Sequence, residues 1–125
     1  LVADSGNHRI RSIQGGTVST LAGSGVPGYL DGTGPRAQLR EPSGLSIGCD
    51  GTLLFTERGQ RVRQVRLVAG RGGVTGTVTT RVGNGIGASV DGSGAPNGSA
   101  SVHDPLAPMT LTTGDLVWFD RASGR

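Results

Sequence analysis

The sequence predicts an all-β fold assembled from a repeated, four-stranded antiparallel unit, and three observations lead there. The first is composition. The chain has 125 residues, 24 of them Gly and four aromatic, yet the glycines follow no Gly-X-Y period and Val, Leu and Ile stay interleaved with them. Collagen and simple disorder are therefore excluded, and the length suits one domain. The second is that the apolar stretches are short, β-prone and bounded by Gly, Pro, Asp or Asn. No 3.6-residue apolar period of useful length runs through them, so no substantial helix is predicted. The third is that the chain repeats itself.

Leu1 to Ile13 aligns with Leu54 to Val65 across a one-residue gap, placing Asp4 on Glu57, Arg9 on Arg61, Ile10 on Val62, Arg11 on Arg63 and Ile13 on Val65. At an offset of 60, Gly16-Thr17-Val18 falls on Gly76-Thr77-Val78, Thr20 on Thr80, Gly23 on Gly83, Gly25 on Gly85, and Asp31-Gly32 on Asp91-Gly92. At an offset of 63, Glu41-Pro42 falls on Asp104-Pro105, Phe55 on Trp118 and Glu57 on Asp120. The unit is thus about 53 to 63 residues long, with the register cut at both ends.

In order, the β-prone runs near 1–4, 9–13 and 17–22 are the last three strands of one unit. A Gly-rich connection over 23–43 leads into the one complete unit, with strands near 44–48, 52–57, 61–67 and 76–82. The segment Val68 to Val74, rich in Gly, reads as an inserted connection inside it. A second Gly-rich stretch, 83–106, leads to 107–125, whose strands near 107–111 and 115–119 open a third unit. Within the run 9–13, Ile10 and Ile13 are three apart and point to opposite faces of a regular strand. Both faces would then be buried, as in a sheet wedged between two neighbours.

Four short antiparallel strands per unit with long Gly-rich connections is the pattern of a β-propeller blade. The run Val2-Ala-Asp-Ser-Gly-Asn-His-Arg-Ile-Arg11, with Gly16-Thr-Val-Ser-Thr-Leu-Ala-Gly23 after it and Glu41-Pro-Ser-Gly-Leu45 before the next unit, resembles the NHL repeat. The family is named for an Asn-His-Leu-like triplet, here Asn7-His8-Arg9; the later units carry Gly59-Gln60-Arg61 and Ser123-Gly124-Arg125 instead. The resemblance implies an NHL-type propeller, with an incomplete ring in this chain. The remaining blades would come from the parent chain or from other copies.

Alternation of strand direction sorts the connections onto two ends. One end carries Ser5 to His8, Arg58 to Gln60 and the long loops after Gly23 and Gly83; the other carries Cys49 to Gly51, Thr113 to Asp115 and Arg71. The first end supplies the candidate binding surface: Asn7, His8, Tyr29, Arg36, Arg58 and Gln60. The net charge is +3, every basic residue is Arg, and six Arg stand between Arg58 and Val90 without an acid. Such a block suggests a nucleic-acid footprint, but the sorting places Arg58 and Arg71 at opposite ends, so it is not one patch. Arg9 and Arg61 recur beside Asp4 and Glu57 across a tight turn, and are expected to pair with those carboxylates and tie the hairpins.

Catalytic and cofactor chemistry finds little purchase. Gly23-Ser-Gly-Val-Pro-Gly28 and Gly83-Asn-Gly-Ile-Gly-Ala88 satisfy dinucleotide-loop patterns, but no helix is expected behind either to hold a pyrophosphate. His8, His103 and Cys49 lack paired metal-ligand spacing, and Asp31-Gly-Thr-Gly and Asp91-Gly-Ser-Gly read as turns rather than calcium loops. No catalytic, cofactor or metal residue is expected. Asn97-Gly-Ser99 is a glycosylation acceptor in an exposed loop, and no apolar run approaches a membrane span. The resemblance implies a non-catalytic interaction module that binds a protein or other macromolecule. Single-stranded RNA binding, and a fragment of a metal-dependent six-bladed propeller enzyme of lactonase or lyase type, are the alternatives.

Overall fold

A computed structural model of the chain describes residues 1–58, 60–85, 92, 100 and 102–121. The protein is all-β, and every sheet is antiparallel. The first sheet holds β1 (Val2–Asp4), β2 (Arg9–Gln14) and β3 (Thr17–Ala22) in that order. The second comprises β4 (Gly32–Thr33), β5 (Pro42–Ile47), β6 (Leu53–Glu57), β7 (Arg61–Gly70) and β8 (Gly73–Val82), ordered β4-β8-β7-β6-β5. The third pairs β9 (Pro105–Thr110) with β10 (Leu116–Asp120). No helix among the described residues is long and apolar enough to cross a membrane.

Two differences from the sequence reading have simple causes. The segment Val68 to Val74 is not an irregular insertion: β7 and β8 stay in register through Val68↔Thr75, Ala69↔Val74 and Gly70↔Gly73, so the hairpin runs on past its sheet. Its glycines hid a ladder that backbone pairing, not side-chain burial, maintains. Within the connection 23–43, Gly32 and Thr33 form β4 on the edge of β8, joined by a hydroxyl contact between Thr33 and Thr77 of 2.9 Å. A two-residue strand without apolar side chains leaves no periodic trace in the sequence.

The sheets stack in chain order. One face of the second sheet, carrying Phe55, Val65 and Val78, packs on Ile10, Leu21 and Ala22 of the first sheet and on Ala37 and Leu39 of the connection. The opposite face presents Val62 and Val82 to Val102, Leu116 and Trp118 at the third sheet. Gly76 is needed at the first of these contacts, because a Cβ there would run into Val65 and approach the Leu21 carbonyl at 3.2 Å. The wedged arrangement expected from residues three apart is thus found in the second sheet, where Val62 and Val65 are both fully buried on opposite faces. It does not hold in the first: Ile10 is buried, but Ile13 is exposed, because only one face of that sheet has a neighbour among the described residues.

Candidate functional site

The tight turns after β1 and β6, together with the loops after β3 and β8, meet at one end of the sheets. Asp4 leads into a 3-10 turn over Ser5–Asn7, which ends at His8 in the left-handed region, φ 54°. Gln60, its repeat partner, has φ 60°. His8 is half-buried, and its Nδ1 accepts a hydrogen bond from the Glu41 amide at 3.1 Å. Ser5 donates its hydroxyl to the Pro42 carbonyl. Ser5 and His8 therefore fasten the first sheet to the start of β5. Asn7 donates to the Asp4 carboxylate at 2.8 Å. That bond, ahead of the Arg11 guanidinium, holds the Asp4 carboxyl below its ordinary range.

The hairpin ion pairs differ from expectation. Asp4 is bridged by Arg11, at 3.2 Å, rather than by Arg9, and Glu57 by Arg63, at 3.0 Å, rather than by Arg61. The expected partners sit directly opposite the acids in register, Asp4↔Arg9 and Glu57↔Arg61, at the very ends of the strands. There a long Arg side chain can reach past the sheet to the adjoining loop. Arg9 donates to the Ser24 carbonyl at 2.9 Å, and Arg61 to that of Asn84 at 3.0 Å. Arg11 and Arg63, one pleat deeper on the same face, lie over the sheet beside the carboxylates.

This placement explains the recurring Gly-x-Gly. A Cβ on Gly23 would strike the His8 carbonyl and one on Gly83 that of Gln60, while Gly25 and Gly85 lie against the guanidinium groups of Arg9 and Arg61. Gly23 and Gly83 also adopt φ of 103° and 99°, closed to most L side chains. Gly23 and Gly83 thus have backbone packed behind them, and Gly25 and Gly85 form seats for an arginine.

Around Arg61 a cation–aromatic cluster forms. Its guanidinium lies 3.9 Å from the centroid of the Tyr29 ring, and Arg40 lies 5.9 Å from the same ring. The Tyr29 hydroxyl accepts from Arg40 at 3.2 Å and donates to the Arg58 carbonyl at 3.4 Å. Arg58, whose side chain is 78% exposed, is bridged to Glu41 at 2.9 Å. That contact lowers the Glu41 carboxyl and raises the Arg58 guanidinium. The same device recurs one unit later, with Arg121 on Asp104 at 2.6 Å. Tyr29 and Arg58 are thus neighbours, with His8 adjoining them through Glu41, while the Gln60 carbonyl lies against Gly83. Arg36 stands apart, in the 3-10 turn Gly34–Arg36 whose Gly34 lies over Thr75 of β8.

Sequence reasoning missed the strongest polar feature, a buried cluster centred on Arg63. Its side chain is fully buried, donating to Glu57, to Asp31 at 2.7 Å, and to the carbonyls of Gln38 and Leu30 at 2.8 and 3.0 Å. Asp31, on the loop that arrives from the first sheet, also accepts from the Thr80 amide and hydroxyl at 3.0 and 2.9 Å. Glu57 accepts from the Arg40 amide at 3.1 Å, but its Oε2 and the Arg63 Nε find no partner among the described residues. Burial pushes the Glu57 carboxyl up to about 7 against the opposing pull of Arg63. A signal was available: Asp31 and Thr80 both recur at the 60-residue offset, in step with the glycines.

His103 and Cys49 are exposed, and among the described residues no three His, Cys, Asp or Glu side chains gather as a metal site would require. Gly59, Asp91, the acceptor Asn97-Gly-Ser99 and the triplet Ser123-Gly124-Arg125 lie outside the described residues. No family model matches the chain. It is similar to Protein SUPPRESSOR OF QUENCHING 1, chloroplastic, of Arabidopsis thaliana, at 43% identity over 58 residues. That match covers 45% of this chain and 6% of the length of that much longer protein.

Proposed function

We propose that the chain is part of an NHL-type β-propeller serving as a non-catalytic interaction module, with a protein partner engaged at the Tyr29 end. The repeated pattern of short strands in the sequence, the recurring Gly-x-Gly seats and the Asn7-His8-Arg9 turn support the propeller reading. The observation that carries the binding role is the cluster of Arg40, Arg58 and Arg61 around Tyr29, on connections held in place by backbone and side-chain bonds. Preorganised Tyr and Arg suit a protein interface, where such residues concentrate binding energy. Single-stranded RNA fits less well: its bases need aromatic faces to stack on, and the Tyr29 ring is already covered by Arg61.

Cross-linking mass spectrometry in native extract tests the reading. Partner cross-links are expected beside Tyr29, Arg40 and Arg58, and Arg40→Glu with Arg58→Glu should remove them while the fold is retained. Cross-links confined to the Cys49 end, or insensitive to both substitutions, contradict it. A titration with single-stranded RNA at two salt concentrations separates the alternative, since phosphate contacts demand a steep loss of affinity with salt.

A further inference from the structure

Arg40 and Arg58 both meet the Tyr29 hydroxyl, one through its guanidinium and the other through its backbone carbonyl. Glu41 bridges Arg58, but no carboxylate among the described residues bridges Arg40, which is exposed. Its Nη1 is occupied by Tyr29, while the Nε–Nη2 edge makes no hydrogen bond among the described residues. That edge is an in-plane pair of donors, the shape that grips a carboxylate bidentately. Surface cations left in this state favour an anionic partner.

The frame beneath these groups is already fixed. Segment 27–30 runs beside 38–39 through the Pro27↔Leu39 bridge and the bonds from the Gly28 amide to the Leu39 carbonyl, 3.1 Å, and from the Gln38 amide to the Leu30 carbonyl, 2.9 Å. Buried Arg63 donates to the carbonyls of both Leu30 and Gln38, and Glu57 accepts from the Arg40 amide. The backbone on either side of Tyr29 and Arg40 is thus tied to the second sheet, so a ligand there pays little to order it. Apolar surface adjoins the cations: Val26 and Leu30, on the same loop as Tyr29, are each 57% exposed.

From this combination we infer that the Tyr29 end takes a linear acidic peptide, one whose Asp or Glu carboxylate seats on Arg40 and Arg58 and whose neighbouring bulky apolar side chain covers Leu30 or Val26. Charge complementarity selects the acid, and the exposed Val26 and Leu30 select a peptide over a bare anion. Glu41 limits how much negative charge the site accepts, since the entering carboxylate shares Arg58 with it. Their exposed bridge is a weak one, so sharing costs little. The inference rests on the protein-binding reading above and names the chemistry of the partner.

Fluorescence polarisation with the full-length protein tests it, using labelled Gly-Leu-Glu-Leu-Glu-Leu-Gly and the same peptide with both Glu replaced by Gln. The Glu peptide should bind at least about tenfold more tightly at low salt, a comparison that leaves the protein untouched. Arg40→Gln and, separately, Arg58→Gln should each weaken it about fivefold or more, and Leu30→Ser about threefold, whereas Arg71→Gln, at the opposite end, should leave it unchanged. Equal affinity for the two peptides overturns the proposal, as does an Arg71→Gln loss matching that of Arg40→Gln. Displacement of the label by single-stranded oligouridine at lower concentration than by unlabelled peptide overturns it in favour of nucleic acid. Partner cross-links beside Tyr29 that survive excess Glu peptide overturn the acidic chemistry alone, while their absence from that end overturns the binding role beneath it.

Discussion

Arg63 and Arg11 occupy the same repeat position and illustrate how far surroundings govern what a residue is worth. Arg63 is enclosed with two carboxylates and two carbonyls, and removing it leaves Glu57 and Asp31 without their counter-charge in a largely dry site. Arg63→Met is expected to cost about 3–5 kcal/mol, and Arg11→Met, in a pair still reached by solvent, no more than about 1 kcal/mol. Urea unfolding followed through Trp118, the single tryptophan, which packs by Val62 and Val82, measures both. Glu57 adds a pH dependence of defined sign. Its carboxyl rises from 4.5 to about 7 on folding, so between those values the folded state holds a proton that the unfolded chain has released. Stability therefore falls as pH rises across that window, by up to about 3 kcal/mol, and levels off above it. Asp4, Glu41 and Asp50 are lowered instead, so their contributions disappear only as pH falls through the acid range. Unfolding free energies at pH 5 and pH 7.5 should show the decline in the parent protein, and Glu57→Gln should flatten it. The ion pairs were half legible in sequence: the repeat picked out the acids and the arginines, but not which arginine one pleat deeper would face each acid.

At the scale of elements, strands were legible where Val, Leu and Ile stood between turn-forming residues, as at Leu53–Glu57, whose five residues are all buried. They were not legible where backbone pairing alone holds them, as in β4 and the outer half of the β7–β8 hairpin. That outer half is exposed along both strands from Arg66 to Val74, so it contributes little burial. Trimming Val68 to Gly73 to a turn as short as the Gly15-Gly16 link between β2 and β3 should change stability by less than about 1 kcal/mol. Gly83→Ala is the contrasting change, since it meets both a positive φ and the Gln60 carbonyl. A loss of more than about 1 kcal/mol is expected there. Thermal unfolding of the two variants gives the comparison, and a tolerated Gly83→Ala would mean that the arginine seat is not as tight as described.

At the scale of the whole molecule, the antiparallel sheets follow one another face to face, and the loop leaving the first sheet helps secure the second. Periodicity in the sequence disclosed the units and the wedged character of the middle one, because Val62 and Val65 recur in step with Ile10 and Ile13. It could not disclose the Asp31 link, since a single acid within a Gly-rich connection looks like a turn until Arg63 and Thr80 are brought against it in three dimensions. That link is what makes the stack directional, and a double-mutant cycle between Asp31→Asn and Arg63→Met addresses it most directly, with unfolding free energies measured for both single variants and the double. The stacked-sheet account predicts a coupling of at least about 1.5 kcal/mol, the double variant losing much less than the two singles combined. Additivity within about 0.5 kcal/mol would contradict it, leaving the loop and the sheet as neighbours without a shared bond.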